Sequence, residues 1–415
     1  MRRAGYFPML DILRWAACSA VVMTHSLDYF PSSAGELHFG AFIQNGGYHA
    51  VIFFYTLSGF LISYLLLVEK ENTGGIALTA FYKRRALRIW PLYYLIILLS
   101  YFVFPYVFPS MAYREPGWWK VLLLYLVFLP NVAVIGAGGG LPTCFQTYTI
   151  AYEELFYLFW PLVVRKMRRS LPLFMVCLFT IVFLLEAAHR RIIERGLPLP
   201  DRWVWGTKVA LTFIDYSSLP AFVAGAAGAW FYFKRRTMLR WLIGNSFVAV
   251  VLIAVTLLLM TFGRPHSLGY VNLLPVVFVM LILNLLEVHV AKSGNWLVKG
   301  GRISYGIYIY HPVVFLSLST IMKRFGLAAP GMPLLSYIVY LGMSYFTVVG
   351  LSYLSYRYFE QFFLRKRPSR SFPSETGNDA YSKEDQERRD TEEEAVGPVV
   401  AAENDGDPGH RDGRR

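Results

Sequence analysis

The sequence is poor in charge and in cysteine. Asp, Glu, Lys and Arg make up only 16% of its 415 residues, against about 25% in soluble domains. That excludes the two or three soluble domains that the length alone would permit. Its three cysteines, Cys18, Cys144 and Cys177, form no CxxC pair, so neither a disulfide framework nor a cysteine-type zinc site is indicated. No two histidines stand at i, i+4 around a carboxylate, so no helical metal site is expected. Acidic residues are scarce in the body. Residues 1–369 hold 33 basic and 14 acidic residues, a net of +19, whereas 370–415 hold 7 and 13, a net of −6. The basic residues fall between apolar runs and line no single amphipathic face, which argues against a nucleic-acid partner. The glycine-rich stretch 136–140 follows no strand and precedes no Lys-Ser/Thr, so it reads as a connector and not as a phosphate-binding loop.

What remains is apolar and aromatic: 55% hydrophobic, 17% aromatic. This is the composition of a polytopic membrane protein. Crossing about 30 Å of hydrocarbon takes about 20 residues. Candidate stretches fall near 8–28, 49–68, 87–108, 149–164, 171–189, 208–232, 241–262, 269–290, 303–322 and 333–356. A shorter one, 118–134, starts with Trp118-Trp119 and ends near Pro130. If it does not cross fully, 22 of the 33 basic residues in the body share one side, with 10 opposite and Arg14 within a span. The positive-inside rule makes the basic side the cytoplasm. The expected fold is therefore an all-α membrane bundle of about ten transmembrane helices, both ends cytoplasmic, with 118–134 as a re-entrant or surface helix. The Arg2-Arg3 start raises a secretion signal, but Asp11 and Arg14 interrupt the apolar run and no small-residue cleavage site follows, so a retained first span is expected. The transmembrane domain should cover 1–368, and 369–415 should be a disordered acidic cytoplasmic tail.

Ionisable residues inside hydrocarbon are costly and mark candidate sites. Arg14 and His25 are eleven apart in the first span, so they share a face about 16 Å apart in depth, with Asp11 one turn below Arg14. The stripe is either a site or a polar ladder that packs helices. Ser58-Gly59 in the second span lets another backbone approach closely, and no Gly-x-Ser-x-Gly elbow supports a serine nucleophile there. Arg85 and Arg88 follow at a cytoplasmic mouth. They are topology signals or lipid contacts, or, three apart and pointing the same way, a fork for a nucleotide or pyrophosphate. Glu153 and Glu154 lie adjacent in an aromatic span, so they point about 100° apart and need different partners; Arg14 or a substrate hydroxyl would suit Glu153. His311-Pro312 brings a histidine beside a proline-freed carbonyl, which can build a polar pocket or a packed kink. His49, His189, His266 and His289 lie near span ends, where interface residence explains them.

In this order, five segments resemble the acyltransferase-3 family of integral membrane O-acyltransferases. Leu10-Asp11-Ile12-Leu13-Arg14, with the ten-residue gap from Arg14 to His25, is similar to its opening motif. Phe53-Phe54-Tyr55-Thr56-Leu57-Ser58-Gly59-Phe60-Leu61 resembles its second. Phe81, Arg85, Arg88, Ile89 and Pro91 match its cytoplasmic arginine motif. The segment from Tyr148 to Tyr157 looks like its Trp-Ser-Leu-x-x-Glu-x-x-Phe-Tyr motif, with Tyr148, Thr149 and Ile150 in place of Trp, Ser and Leu and Glu153 as the matching acid. Ser304-Tyr305-Gly306-Ile307-Tyr308 with His311-Pro312 is similar to its late motif.

The resemblance implies transfer of an acyl group, often acetyl, from cytoplasmic acyl-CoA to a hydroxyl of a glycan, lipid-linked sugar or small metabolite in a bacterial plasma membrane. Some relatives carry a soluble esterase-like domain after the spans; the acidic tail is too short for one. Acyl transfer needs a base or an acyl carrier, and cationic help for the thioester oxygen. His25 suits base or carrier, and Arg14 would orient the thioester. Glu153 would bind the acceptor or set the tautomer of His25. Arg85 and Arg88 suit the CoA phosphates, while Asp11, Ser58, Tyr305 and His311 would contact substrate. The competing reading is a transporter or flippase whose charges line a path; no matching pair of broken helices in two halves supports it.

Overall fold

In the computed structural model, the described residues are 6–30, 41–107, 118–136, 140–141, 143–167, 169–195, 218–264, 267–288, 290, 296–326 and 333–368. The chain divides into two units, Met1–Ser371 and Phe372–Arg415, and all described residues lie in the first. The acidic tail, most of the 136–140 glycine stretch, His266 and His289 lie outside the described residues.

Every described element is helical. In chain order these are α1 (Pro8–Tyr29), α2 (Ala41–Gln44), α3 (Gly46–Thr73), α4 (Leu78–Phe102), α5 (Phe104–Val107), α6 (Trp118–Leu126), α7 (Pro130–Gly136) and α8 (Thr147–Lys166). They are followed by α9 (Leu171–Arg195), α10 (Leu219–Arg235), α11 (Ser246–Phe262), α12 (Leu268–Leu285), α13 (Trp296–Arg324), α14 (Pro333–Ser355) and, after a π-turn, α15 (Gln361–Leu364). The described part of each of the ten expected apolar stretches lies largely on helix; residues 208–217 of the 208–232 stretch lie outside the described residues. Among the described residues, five segments are long and apolar enough to cross a membrane: Gly46–Thr73, Leu171–Ala188, Leu268–Leu285, Trp296–Arg324 and Leu334–Leu364. The 118–134 stretch is two short helices. They break at Phe128, whose φ is +60°, where the Phe128 ring stacks on Tyr93 of α4 at 4.3 Å. Nine residues of α6 cover only about 14 Å at 1.5 Å per residue.

Two close crossings build the interior, and small residues make both. A Cβ on Gly59 of α3 would collide with the Phe222 carbonyl of α10, and one on Gly225 of α10 would collide with the Thr56 carbonyl of α3. The Ser58-Gly59 pair thus does what its sequence suggests. The second crossing joins α1 to α13. There Gly301 meets the Asp11 backbone, and a Cβ on Gly300 would lie 2.9 Å from the Trp15 ring. Around these crossings α1, α3, α4, α8 and α13 contact one another. Helix α14 packs outside α1 and α13, while α12 packs on α3 and α10, with α11 beyond it. Lys70 near the end of α3 donates to the Val164 and Arg165 carbonyls at 2.5 and 3.0 Å, satisfying acceptors that the end of α8 leaves open.

Candidate active site

Five helices meet around a cavity of about 840 Å³ of atom-free space, its mouth included. It is lined by Arg14 of α1; Val51, Phe54, Tyr55, Ser58, Leu61 and Ile62 of α3; Arg85, Arg88 and Ile89 of α4; Thr149, Ile150, Glu153 and Tyr157 of α8; and Ser304, Tyr305 and Tyr308 of α13. Six of the nine residues singled out from sequence therefore share one space: Arg14, Ser58, Arg85, Arg88, Glu153 and Tyr305.

At one end are three guanidinium groups. Arg14 Nη1 donates to Asp11 Oδ1 at 2.8 Å, and Tyr6 Oη donates to the other Asp11 oxygen at 2.6 Å. Asp11 does not line the cavity; its carboxylate has both oxygens engaged, one by Arg14 and one by Tyr6. The basic run on α4 divides by its 3.6-residue period. Arg84 turns to Glu69 at 3.5 Å, whereas Arg85 and Arg88 turn inward together. Arg85 lies over the Tyr157 ring at 5.9 Å and the Phe81 ring at 5.8 Å, a cation–π arrangement that holds the guanidinium without neutralising it.

Beside the arginines, Ser58 Oγ donates to Glu153 Oε1 at 2.9 Å. Tyr157 Oη lies 3.2 Å from Glu153 Oε2 and 3.1 Å from Ser58 Oγ. Glu154 points away and accepts from Trp90 Nε1 at 3.2 Å, as the 100° offset requires. Tyr305 Oη donates to the Ile89 carbonyl at 2.9 Å, tying α13 to α4. At the far end Tyr308 Oη and Thr149 Oγ1 are 2.7 Å apart, and the Tyr308 ring meets Phe54 edge-on at 6.2 Å between centroids.

His25 and His311 stand behind this aromatic end and do not line the cavity. Their rings stack at 5.3 Å with 21° between planes, and His311 also contacts the Tyr308 ring at 5.8 Å. Proline 312 has no N–H for the Tyr308 carbonyl four residues back, and His311 Nδ1 takes that acceptor at 2.8 Å. The carbonyl freed by Pro312 is thus taken up by His311, which is buried and stacks on the partly exposed His25. His25 Nδ1 bonds Asp28 Oδ2 at 2.9 Å, so Asp28, and not Glu153, is the carboxylate on that ring. His49, expected at an interface, is buried instead, its Nε2 2.7 Å from Tyr270 Oη. Sequence reasoning missed Tyr157, Thr149 and Tyr308 as lining residues, although all three lie within motifs it had singled out. It also passed over Asp28, whose i, i+3 spacing from His25 was the available signal.

A membrane-embedded helical bundle with three arginines and a carboxylate around one cavity, and a stacked histidine pair behind it, defines a class, and the family comparison names it. An acyltransferase domain matches residues 7–357, and the chain belongs to that acyltransferase-3 family. Among curated relatives, the peptidoglycan O-acetyltransferase OatA of Listeria monocytogenes serovar 1/2a is 26% identical over 345 residues, 75% of this chain and 50% of that protein. The putative peptidoglycan O-acetyltransferase YrhL of Bacillus subtilis is 27% identical over 169 residues, 38% of this chain and 23% of that protein. The putative acetyltransferase ORF330 of Acidianus two-tailed virus is 27% identical over 325 residues, 74% of this chain and 83% of that protein. The chain thus spans half or less of the two peptidoglycan-related proteins. No solved structure matches it.

Proposed function

We propose that this chain is a multi-pass O-acetyltransferase of a bacterial plasma membrane. In this reading ten helices span the bilayer, both ends are cytoplasmic, and acetyl-CoA donates to a hydroxyl of a carbohydrate or cell-envelope glycan. One observation carries the reading: Arg14, Arg85, Arg88 and Glu153, from three separate helices, line one cavity. Two relatives bear the name peptidoglycan O-acetyltransferase, which favours a glycan acceptor.

The roles follow from position. Arg85 and Arg88, at the end that the positive-inside rule assigns to the cytoplasm, take the CoA phosphates through charge-assisted hydrogen bonds. Arg14, held by Asp11, faces the donor further along. The thioester end reaches past Tyr308 to His25, about 16 Å from Arg14 along α1. There the acceptor oxygen attacks the thioester carbonyl, its proton passes to His25, the C–S bond breaks and the thiolate takes the proton back. Glu153, already accepting from Ser58, organises the cavity wall beside the arginines.

The test is acetyl transfer from labelled acetyl-CoA to envelope glycans in membranes carrying the full chain. Replacing both Arg85 and Arg88 with Ala should raise the KM for acetyl-CoA about tenfold or more, since each lost contact to a charged group is worth about 1.5–3 kcal/mol, with a smaller change in kcat. An unchanged KM would return these arginines to topology alone.

A further inference from the structure

We infer that Asp28 is a positioning residue that holds His25 in its Nδ1-protonated tautomer and so makes Nε2 the acting atom. The inference rests on the reading of His25 as the base of acyl transfer.

A carboxylate oxygen accepts and does not donate, so the 2.9 Å contact between His25 Nδ1 and Asp28 Oδ2 requires the proton on Nδ1. Nε2 then carries the lone pair. The same logic fixes the neighbouring ring: His311 Nδ1 faces a carbonyl oxygen at 2.8 Å and must donate to it. His311 is buried, and its ring lies parallel to His25 within 21°. One face of His25 is therefore held against a ring that is itself held. Orientation by a carboxylate on one nitrogen, with the other free to react, is the recurring arrangement of catalytic imidazoles.

What stands over Nε2 also matters. Gly47 of α3 is the residue there. A Cβ built on it would lie 3.5 Å from His25 Nε2 and 3.4 Å from Thr24 Cγ2. These are ordinary van der Waals contacts, so Gly47→Ala fits without displacement, yet it sets a methyl against the one nitrogen that the tautomer leaves basic. In the step proposed, Nε2 accepts the hydroxyl proton as the acceptor oxygen bonds to the acyl carbon, and the proton then leaves with the CoA thiol.

Two measurements on the full chain in lipid nanodiscs test this. In the first, ¹⁵N shifts of histidine-labelled protein, with His25 assigned by difference from His25→Ala, should report protonation at Nδ1. In Asp28→Ala they should move toward a tautomer mixture, which a purely structural role for Asp28 would not produce. This readout does not depend on turnover, so it separates failure of the inference from failure of the proposed activity. In the second, Asp28→Ala should lower kcat for acetyl transfer about tenfold or more with the KM for acetyl-CoA within twofold, Asp28→Glu should recover part of it, and Gly47→Ala should lower kcat without loss of folded protein. A wild-type His25 protonated at Nε2, or an Asp28→Ala variant with wild-type kcat, would overturn the assignment.

Discussion

Helices α3 and α9 are both uninterrupted apolar rods, and they do opposite work. Within its most apolar window, 72% of α3 is buried inside the protein, against 22% for α9. Leu66 on α3 is 1% exposed, while Leu173, Val176 and Leu184 on α9 are each more than half exposed. Hydrocarbon is as apolar as a protein interior, so burial in protein and exposure to lipid tails select the same residues. What separates the two helices is the minority of other residues. Helix α3 carries Gly59 at a backbone crossing and Ser58 on a half-buried carboxylate. No described residue of α9 lines the cavity of the candidate site. In a bundle of this kind the site is written in the polar and small residues, and apolarity only places the helix in the membrane.

The largest effect that sharpens this contrast comes from a single polar residue. His25→Ala should lower acetyl transfer about 10²–10⁴-fold, the range for loss of a positioned base, while the protein accumulates at wild-type level in membranes. Activity near wild type would detach the stacked histidines from the chemistry. Next is Gly225→Ala, where the added methyl meets the Thr56 carbonyl and forces α3 from α10. Overpacking of this kind costs about 1–3 kcal/mol, read as a lower midpoint of thermal unfolding in detergent. A wild-type midpoint would mean that the crossing is looser than these backbones indicate.

Much of the site was legible because its parts are local. Arg14 and His25 are related by helical period within one helix, and so are Arg85 and Arg88; the arginine pair turns inward together. Proline 312 frees the Tyr308 carbonyl by its own chemistry, and His311, one residue away, takes it. What escaped is long-range. The stacking of His25 on His311 joins residues 286 positions apart, and no pattern within either helix encodes it. The same limit hid the aromatic end of the cavity. Tyr308 and Thr149 had been noted in separate motifs, but only the packing of α8 against α13 puts their hydroxyls 2.7 Å apart. Helices α1, α4 and α8 carry the site's charges, and those charges keep all three out of the set that length and apolar composition alone select.

The smallest expected effect, that of Leu184→Ala, bears most directly on the comparison, because the same chemical change at Leu66 sets its scale. Leu66→Ala removes a side chain that neighbouring helices enclose, and a truncation of this kind in a packed interior costs about 2–5 kcal/mol through lost contacts and the cavity left behind. Leu184→Ala deletes the same atoms from a residue 58% exposed. In a bilayer the acyl chains close over the gap, no cavity persists, and the change should stay within about 0.5 kcal/mol, as for substitutions away from packed features. The two variants, unfolded side by side in the same lipid, should therefore differ by about 2 kcal/mol or more. Equal costs at the two positions would mean that Leu184 faces another protein surface in the membrane, and that α9 belongs to an interface and not to the lipid belt.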